Sequence, residues 1–250
     1  MKRYYDSNSH TQPVTLLAVN GNGEILWEHT YEEMKESGND VGFTPFPAAD
    51  GYILTGDESG PIFDQNSDSG WRNSWGMMGR LDDQGNFLWK RHIEQYPYAA
   101  MTHYLEANDG GMFGAGMNYD DGRADGDYFV AKSDFVVRFD ADGNVLWCNS
   151  YPRLLLTDPE QSILNISALL PAPDDGVIVV AQNWKVDRLK LIHLDSDGTI
   201  LADWWQEIDF PIDYVKAFTV AGQNYLVYHE RPSNAPGINT YIAPIISPES

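Results

Sequence analysis

Arg138-Phe139-Asp140-Ala141-Asp142-Gly143-Asn144-Val145-Leu146-Trp147 is the stretch that decides the fold. A short apolar strand runs into a tight polar turn, glycine closes the turn, and a second strand leaves on Val-Leu-Trp. Glycine belongs there because a hairpin reversal needs a residue at positive φ. The leading Asp can bond its own backbone two residues on. The phrase recurs as Gly23-Glu24-Ile25-Leu26-Trp27, as Gly85-Asn86-Phe87-Leu88-Trp89 and as Gly198-Thr199-Ile200-Leu201. The glycines at 23, 85, 143 and 198 lie 62, 58 and 55 residues apart, and a period of that size marks a repeat architecture.

Each copy is followed by a second hairpin, turning at Asp50-Gly51, Asp109-Gly110-Gly111, Asp174-Asp175-Gly176 and Ala221-Gly222. Four short strands per unit is the content of a β-propeller blade. The expected fold is all-β: a propeller of four four-stranded blades, after an N-terminal tail at 1–13. The repeats run at about 14–74, 75–133, 134–188 and 189–239, and a fifth strand set starts at 240–250. Two arrangements fit this count, a closed small ring or an arc of a larger propeller that would complete itself as a homodimer. Helix signals reduce to single turns at 31–37 and 158–164. The connections after each fourth strand vary most in length, and insertions of that kind gather on one face and carry binding.

The segments 138–147 and 174–181, Asp-Asp-Gly-Val-Ile-Val-Val-Ala in the latter, resemble bacterial β-propeller repeats of the quinoprotein-like (PQQ-like) family. The resemblance covers about residues 14–250. It implies a propeller and a choice of roles: quinone-cofactor dehydrogenase, outer-membrane assembly scaffold or exported protein. The family's dehydrogenases use eight blades and hold calcium and a quinone in a central funnel. Four repeats do not supply that ring, so the activity is not carried over. The fourth copy also departs from the pattern, with Trp204 two residues later than its counterparts.

Lys and Arg number 16 against 37 Asp and Glu, a net charge of −21. That balance argues against nucleic acid or an anionic membrane as partner, because phosphates need cationic contacts. No apolar run reaches the length of a membrane-spanning helix. The single cysteine, Cys148, rules out an internal disulfide and reads as a small buried residue. The start carries no signal-peptide pattern, so the location is cytoplasmic, or exported if a signal lies outside this sequence.

Trp27, Trp89 and Trp147 occupy one repeat position and read as blade-to-blade packing. Arg80, Arg138 and His193 share another and read as ion pairs to a nearby carboxylate. Trp71, Arg72, Trp75 and Trp184 break the period, lie in the variable connections and form the candidate ligand-binding set. Asp120, Asp121, Asp125 and Asp127, spaced by glycines, form an oxygen-rich stretch suited to calcium, the one cofactor candidate. No nucleophile elbow, phosphate loop or His-x-x-x-His spacing occurs. The first functional expectation is a non-enzymatic binding or scaffold module that presents long loops to a protein or glycan. The alternative is a hydrolase or lyase with an acidic, calcium-assisted funnel.

Overall fold

The computed structural model describes residues 13–35, 43–59, 74–96, 99–119, 131–152, 164–183, 188–208, 212–230 and 240–245. Among them there is no helix, only seventeen strands joined by turns. The fold class is the expected one: all-β, of β-propeller type, in four-stranded antiparallel blades. Three sheets are complete. β3 (Thr44–Ala48), β4 (Gly51–Ser59), β5 (Ser74–Leu81) and β6 (Phe87–Ile93) lie side by side in that order. The next sheet orders β7 (Ala99–Glu106), β8 (Met112–Tyr119), β9 (Ala131–Phe139) and β10 (Val145–Pro152) the same way. So do β11 (Leu164–Pro171), β12 (Val177–Asn183), β13 (Arg188–Leu194) and β14 (Ile200–Glu207). Two sheets are shorter: β1 (Pro13–Val19) pairs with β2 (Ile25–Lys35), and β15 (Ile212–Val220), β16 (Gln223–Glu230) and β17 (Thr240–Pro244) form a three-stranded sheet.

The sequence repeat and the hydrogen-bonded sheet are offset by two strands. The quoted phrase is the hairpin between a blade's third and fourth strands; the second hairpin opens the following blade. All four copies fold alike. The turn glycine donates to the carbonyl three residues back, at 3.0–3.1 Å, and takes φ of 78–84°. The leading Asn or Asp side chain accepts backbone N–H groups two and four residues on at Asn20, Asp82 and Asp195, and four on at Asp140. Each hairpin then holds one extra residue on its outer strand, opposite no partner: Leu26, Leu88, Leu146 and Leu201. That bulge explains why the recurring leucine is 54–59% exposed. It twists the outer strand away from edge-to-edge pairing.

The chain divides into two compact units, residues 1–102 with 116–131 and residues 103–115 with 132–250. The first has a core of Val14, Leu16, Met34, Phe43, Leu54, Met77 and Leu81, in which β1–β2 packs on the β3–β6 sheet. In the second, one cluster gathers Phe113, Val136, Leu169, Val179 and Leu194, and another gathers Leu170, Val180, Leu191, Val215 and Leu226.

Two of the recurring tryptophans, Trp27 and Trp147, each join one blade to the turn of the next. Trp27 Nε1 donates to the Asp83 carbonyl at 2.8 Å, and its ring lies so close over Gly85 that a Cβ there would sit 3.0 Å from it. Four residues on, the Tyr31 hydroxyl donates to the Gly85 carbonyl. The second unit repeats the clamp. Trp147 donates to the Ser196 carbonyl at 2.7 Å, lies over Gly198, and Tyr151 donates to the Gly198 carbonyl at 2.8 Å. The glycine is therefore needed twice, for its φ and for the indole above it. Tyr31 also corrects the helical turn expected at 31–37, because β2 stays extended through Lys35. Residues 158–163 of the other expected turn lie outside the described residues; Leu164 begins β11. Cys148 is half-buried rather than buried, since it sits on the bulged outer strand β10.

Candidate functional site

Within each sheet, antiparallel strands send their connections alternately to the two ends. One end has only tight turns; every longer connection leaves from the other. The tight-turn end is closed by ion pairs that use the repeated basic position. Arg80 reaches Asp50 at 2.5 Å, Arg138 grips both oxygens of Asp109 at 2.6 and 2.7 Å, and His193 meets Asp174 at 2.9 Å. In every case the carboxylate belongs to the neighbouring hairpin turn of the same sheet. The Arg138 hydrogen bond, with backbone N–H donation from Gly111, holds the Asp109 carboxyl below its ordinary range. These pairs agree with the structural reading of that position.

The long-connection end of the β3–β6 sheet is different. Glu58, at the close of β4, is buried. Directly opposite it on β5 stands Trp75. Lys90 and His92 on β6 pair with Gly79 and Met77 of β5, so both project from the same face as Trp75 and Glu58. The four side chains converge. His92 Nε2 lies 2.6 Å from Glu58 Oε2, and Lys90 Nζ donates to both Glu58 oxygens at 3.2 and 3.3 Å. The Trp75 ring centroid is 5.3 Å from that of His92. Burial pushes the Glu58 carboxyl up, but the His92 hydrogen bond and the Lys90 charge outweigh it and hold the group below its ordinary value. The result is a carboxylate kept ionised with little water around it, an imidazole oriented by it, and an indole alongside. Asp57, also buried, precedes Glu58 and points to the opposite face.

Of the sequence-predicted ligand set, only Trp75 falls within the described residues. It is a half-buried strand residue packed on His92 and not a loop residue. Trp71, Arg72 and Trp184 lie outside the described residues, as do Asp120, Asp121, Asp125 and Asp127. Among the described residues no group of three or more His, Cys, Asp or Glu is placed to hold a metal ion. Sequence reasoning passed over Glu58, Lys90 and His92. A signal was present: Lys90-Arg91-His92 is the one run of three basic residues in a strongly acidic chain. It follows Trp89, where the copies after Trp27 and Trp147 read Glu-His-Thr and Cys-Asn-Ser.

No family model matches the chain. No curated protein matches it either. Solved structures do resemble it. An exo-β-1,3-galactanase from Phanerochaete chrysosporium, with β-1,3-galactotriose, aligns over 94% of this chain and 51% of its own, at 8% identity and a TM-score of 0.46. An exo-β-1,3-galactanase from Clostridium thermocellum aligns over 91% and 49%, at 12% identity and a TM-score of 0.45. A family-43 β-1,3-galactosidase with galactodeoxynojirimycin aligns over 91% and 76%, at 11% identity and a TM-score of 0.42. The chain thus spans about half the length of the two galactanases. At these identities no residue or substrate is carried across. All three are glycoside-cleaving enzymes by name, which does not fit the expectation of a non-enzymatic binding or scaffold module; that expectation is withdrawn in favour of its alternative, which has to stand on this chain's own residues.

Proposed function

We propose that the chain is a hydrolase whose chemistry centres on Glu58 and His92, with Lys90 and Trp75 completing the site. The observation that carries this reading is the 2.6 Å contact between a buried carboxylate and a partly exposed imidazole, at the end of the blade where the long connections leave. A carboxylate hydrogen-bonded to one imidazole nitrogen fixes the tautomer and leaves the other nitrogen's lone pair as a base. With Nε2–H directed at Glu58, Nδ1 takes a proton from water as the water attacks the substrate. Glu58 stabilises the imidazolium that forms, and the same proton is returned to the leaving group. The Lys90 ammonium keeps Glu58 ionised and adds positive charge beside developing negative charge. Trp75 offers a flat apolar face to a neutral, ring-shaped polar substrate, which makes saccharides and their esters the first class to test.

The test is turnover of chromogenic p-nitrophenyl glycosides and p-nitrophenyl acetate by the purified chain, followed by Glu58→Gln and His92→Gln. Activity that falls by about 10²–10⁴ in both variants, the usual worth of a general base, supports the assignment. Failure to turn over either substrate class, or activity indifferent to both substitutions, sinks it.

A further inference from the structure

We propose that β1 of one copy of this chain pairs edge to edge with β17 of a second copy, giving a head-to-tail assembly through a composite five-stranded blade. Two sheets are short by comparison with the three complete blades. β1 and β2 carry the hairpin of a third and fourth strand, so the edge of β1 that faces a second strand elsewhere has no strand on it among the described residues. β17 pairs with β16 as a third strand does, and its outer edge, where a fourth strand would lie, is likewise open among the described residues. An antiparallel β17–β1 pair closes both edges at once, in the order β15-β16-β17-β1-β2.

The two edges differ chemically from the outer-strand edges of the described sheets. The outer strands β2, β6, β10 and β14 each carry the leucine bulge, and β2, β6 and β14 add charged residues. Bulges and charges are how proteins block strand addition. β1, Pro-Val-Thr-Leu-Leu-Ala-Val, and β17, Thr-Tyr-Ile-Ala-Pro, contain no charged residue at all. In a chain of net charge −21, two uncharged strands at the two open edges can approach one another without like-charge repulsion. Their flanking faces are also apolar and uncovered. In complete blades the third strand is largely buried on both faces, as β9 and β13 are, whereas β1 leaves Leu17 49% and Val19 53% exposed. On β17, Ile242 is 65% exposed. The clamp tells the same story. Gly85 and Gly198 each lie under an indole, but the equivalent Gly23 has no described atom within 4 Å of where a Cβ would stand. Because the two patches differ, the contact is heterologous, and such contacts build rings or open chains rather than closed isologous pairs.

The experiment is light scattering after size exclusion over a wide concentration range, on the full chain and on Leu17→Lys and Ile242→Lys. Both side chains are exposed, so the variants should keep the parent circular dichroism and melting temperature. The parent should rise from 28.1 kDa to multiples of it with concentration, and each variant should stay at the single-chain mass. An equimolar mixture of the two variants should double in mass and go no further, since each retains one working edge. A parent that remains at the single-chain mass at every concentration overturns the proposal. So does an assembly that either lysine leaves intact, or a mixture of variants that does not associate.

Discussion

Arg138 and Lys90 are both cations set against a carboxylate, and their carboxylates, Asp109 and Glu58, stand at opposite ends of their respective blades. Arg138 occupies a position that recurs; Arg80 and His193 fill it elsewhere, and each meets the aspartate of its neighbouring turn. The residue type changes while the contact persists, which is the behaviour of a brace. Lys90 has no such series. Glu58, its partner, stands seven residues past the turn glycine Gly51, and the same count from Gly111 and Gly176 reaches Asn118 and Asn183. Among the described residues a buried carboxylate with a histidine and a lysine on it is therefore peculiar to one blade. In a repeat protein, whatever every copy shares answers to packing, and a polar group that one copy alone holds out of water needs another reason.

The largest effect that would sharpen this contrast lies at the tight turns. Gly51 sits at φ +143°, and a Cβ there would stand 2.1 Å from the Leu81 carbonyl oxygen and 2.8 Å from the Asp82 carbonyl carbon. Both obstacles are backbone, so Gly51→Ala has to break the hairpin or its pairing with β5; a loss above about 4 kcal/mol is expected in denaturant unfolding. Gly110→Ala is the control. Its φ is +82°, but the nearest obstacle is the Ala141 Cβ at 3.8 Å, so only the backbone penalty of about 1–2 kcal/mol applies. Equal losses in the two variants would mean that close packing at the turn end is not what glycine protects.

The clamp comes next. Trp147→Phe keeps an aromatic ring over Gly198 but deletes the donor to the Ser196 carbonyl. A lost hydrogen bond plus reduced packing predicts destabilisation of about 2 kcal/mol. Tyr151→Phe removes only the hydroxyl that reaches Gly198, at about 1 kcal/mol. If the two together cost clearly more or less than their sum, the ring and the hydroxyl act as one unit on that turn.

Much of this could be read from the chain before its structure. The turn chemistry, the role of the recurring tryptophans and the basic position all followed from residues that repeat, because repetition supplies its own control. The exposed leucine could not be read that way. In the sequence Ile-Leu-Trp looks like an alternating strand, and only the pairing shows that one residue is extra. In the sequence Trp75 reads as a loop residue because it lies close behind Trp71 and a run of Gly, Ser and Asn; the pairing of Glu58 with Trp75 places it on a strand. The Glu58 group stayed hidden for a different reason. Its members come from three strands, with 31 residues between Glu58 and Lys90, and no local pattern links a carboxylate to a basic run across that distance.

A more modest contrast concerns which end matters for activity. Asp50→Asn removes a carboxylate that is largely in solvent and pairs with Arg80. Surface pairs of that kind are worth about 0–1 kcal/mol, and turnover should be unaffected. Glu58→Gln should cost turnover far more than stability, since glutamine still accepts a hydrogen bond from Lys90. A reversed pattern, with activity falling in Asp50→Asn and holding in Glu58→Gln, would exchange the roles assigned to the two ends.

The smallest expected effect is a pH dependence carried by neither end. His103, on β7, has its pKa pushed down to about 4, first by burial and then by the Lys216 charge on β15, while a backbone hydrogen bond to Ser167 on β11 pulls the other way. The sign follows from linkage. In the unfolded chain the group titrates near 6.5, so above that pH it is neutral in both states and its contribution is complete. As pH falls below 6.5 the unfolded chain takes up a proton that the folded one refuses, and stability drains away until the folded group also protonates near 4. Melting temperatures at pH 7 and pH 5 should therefore differ more in the parent than in His103→Gln, by a few degrees. Lys216→Met, which removes the like charge but not the burial, should give a difference between the two. If His103→Gln melts with the same pH dependence as the parent, the imidazole is open enough to water to protonate in the fold, and acid sensitivity has to be sought among the carboxylates.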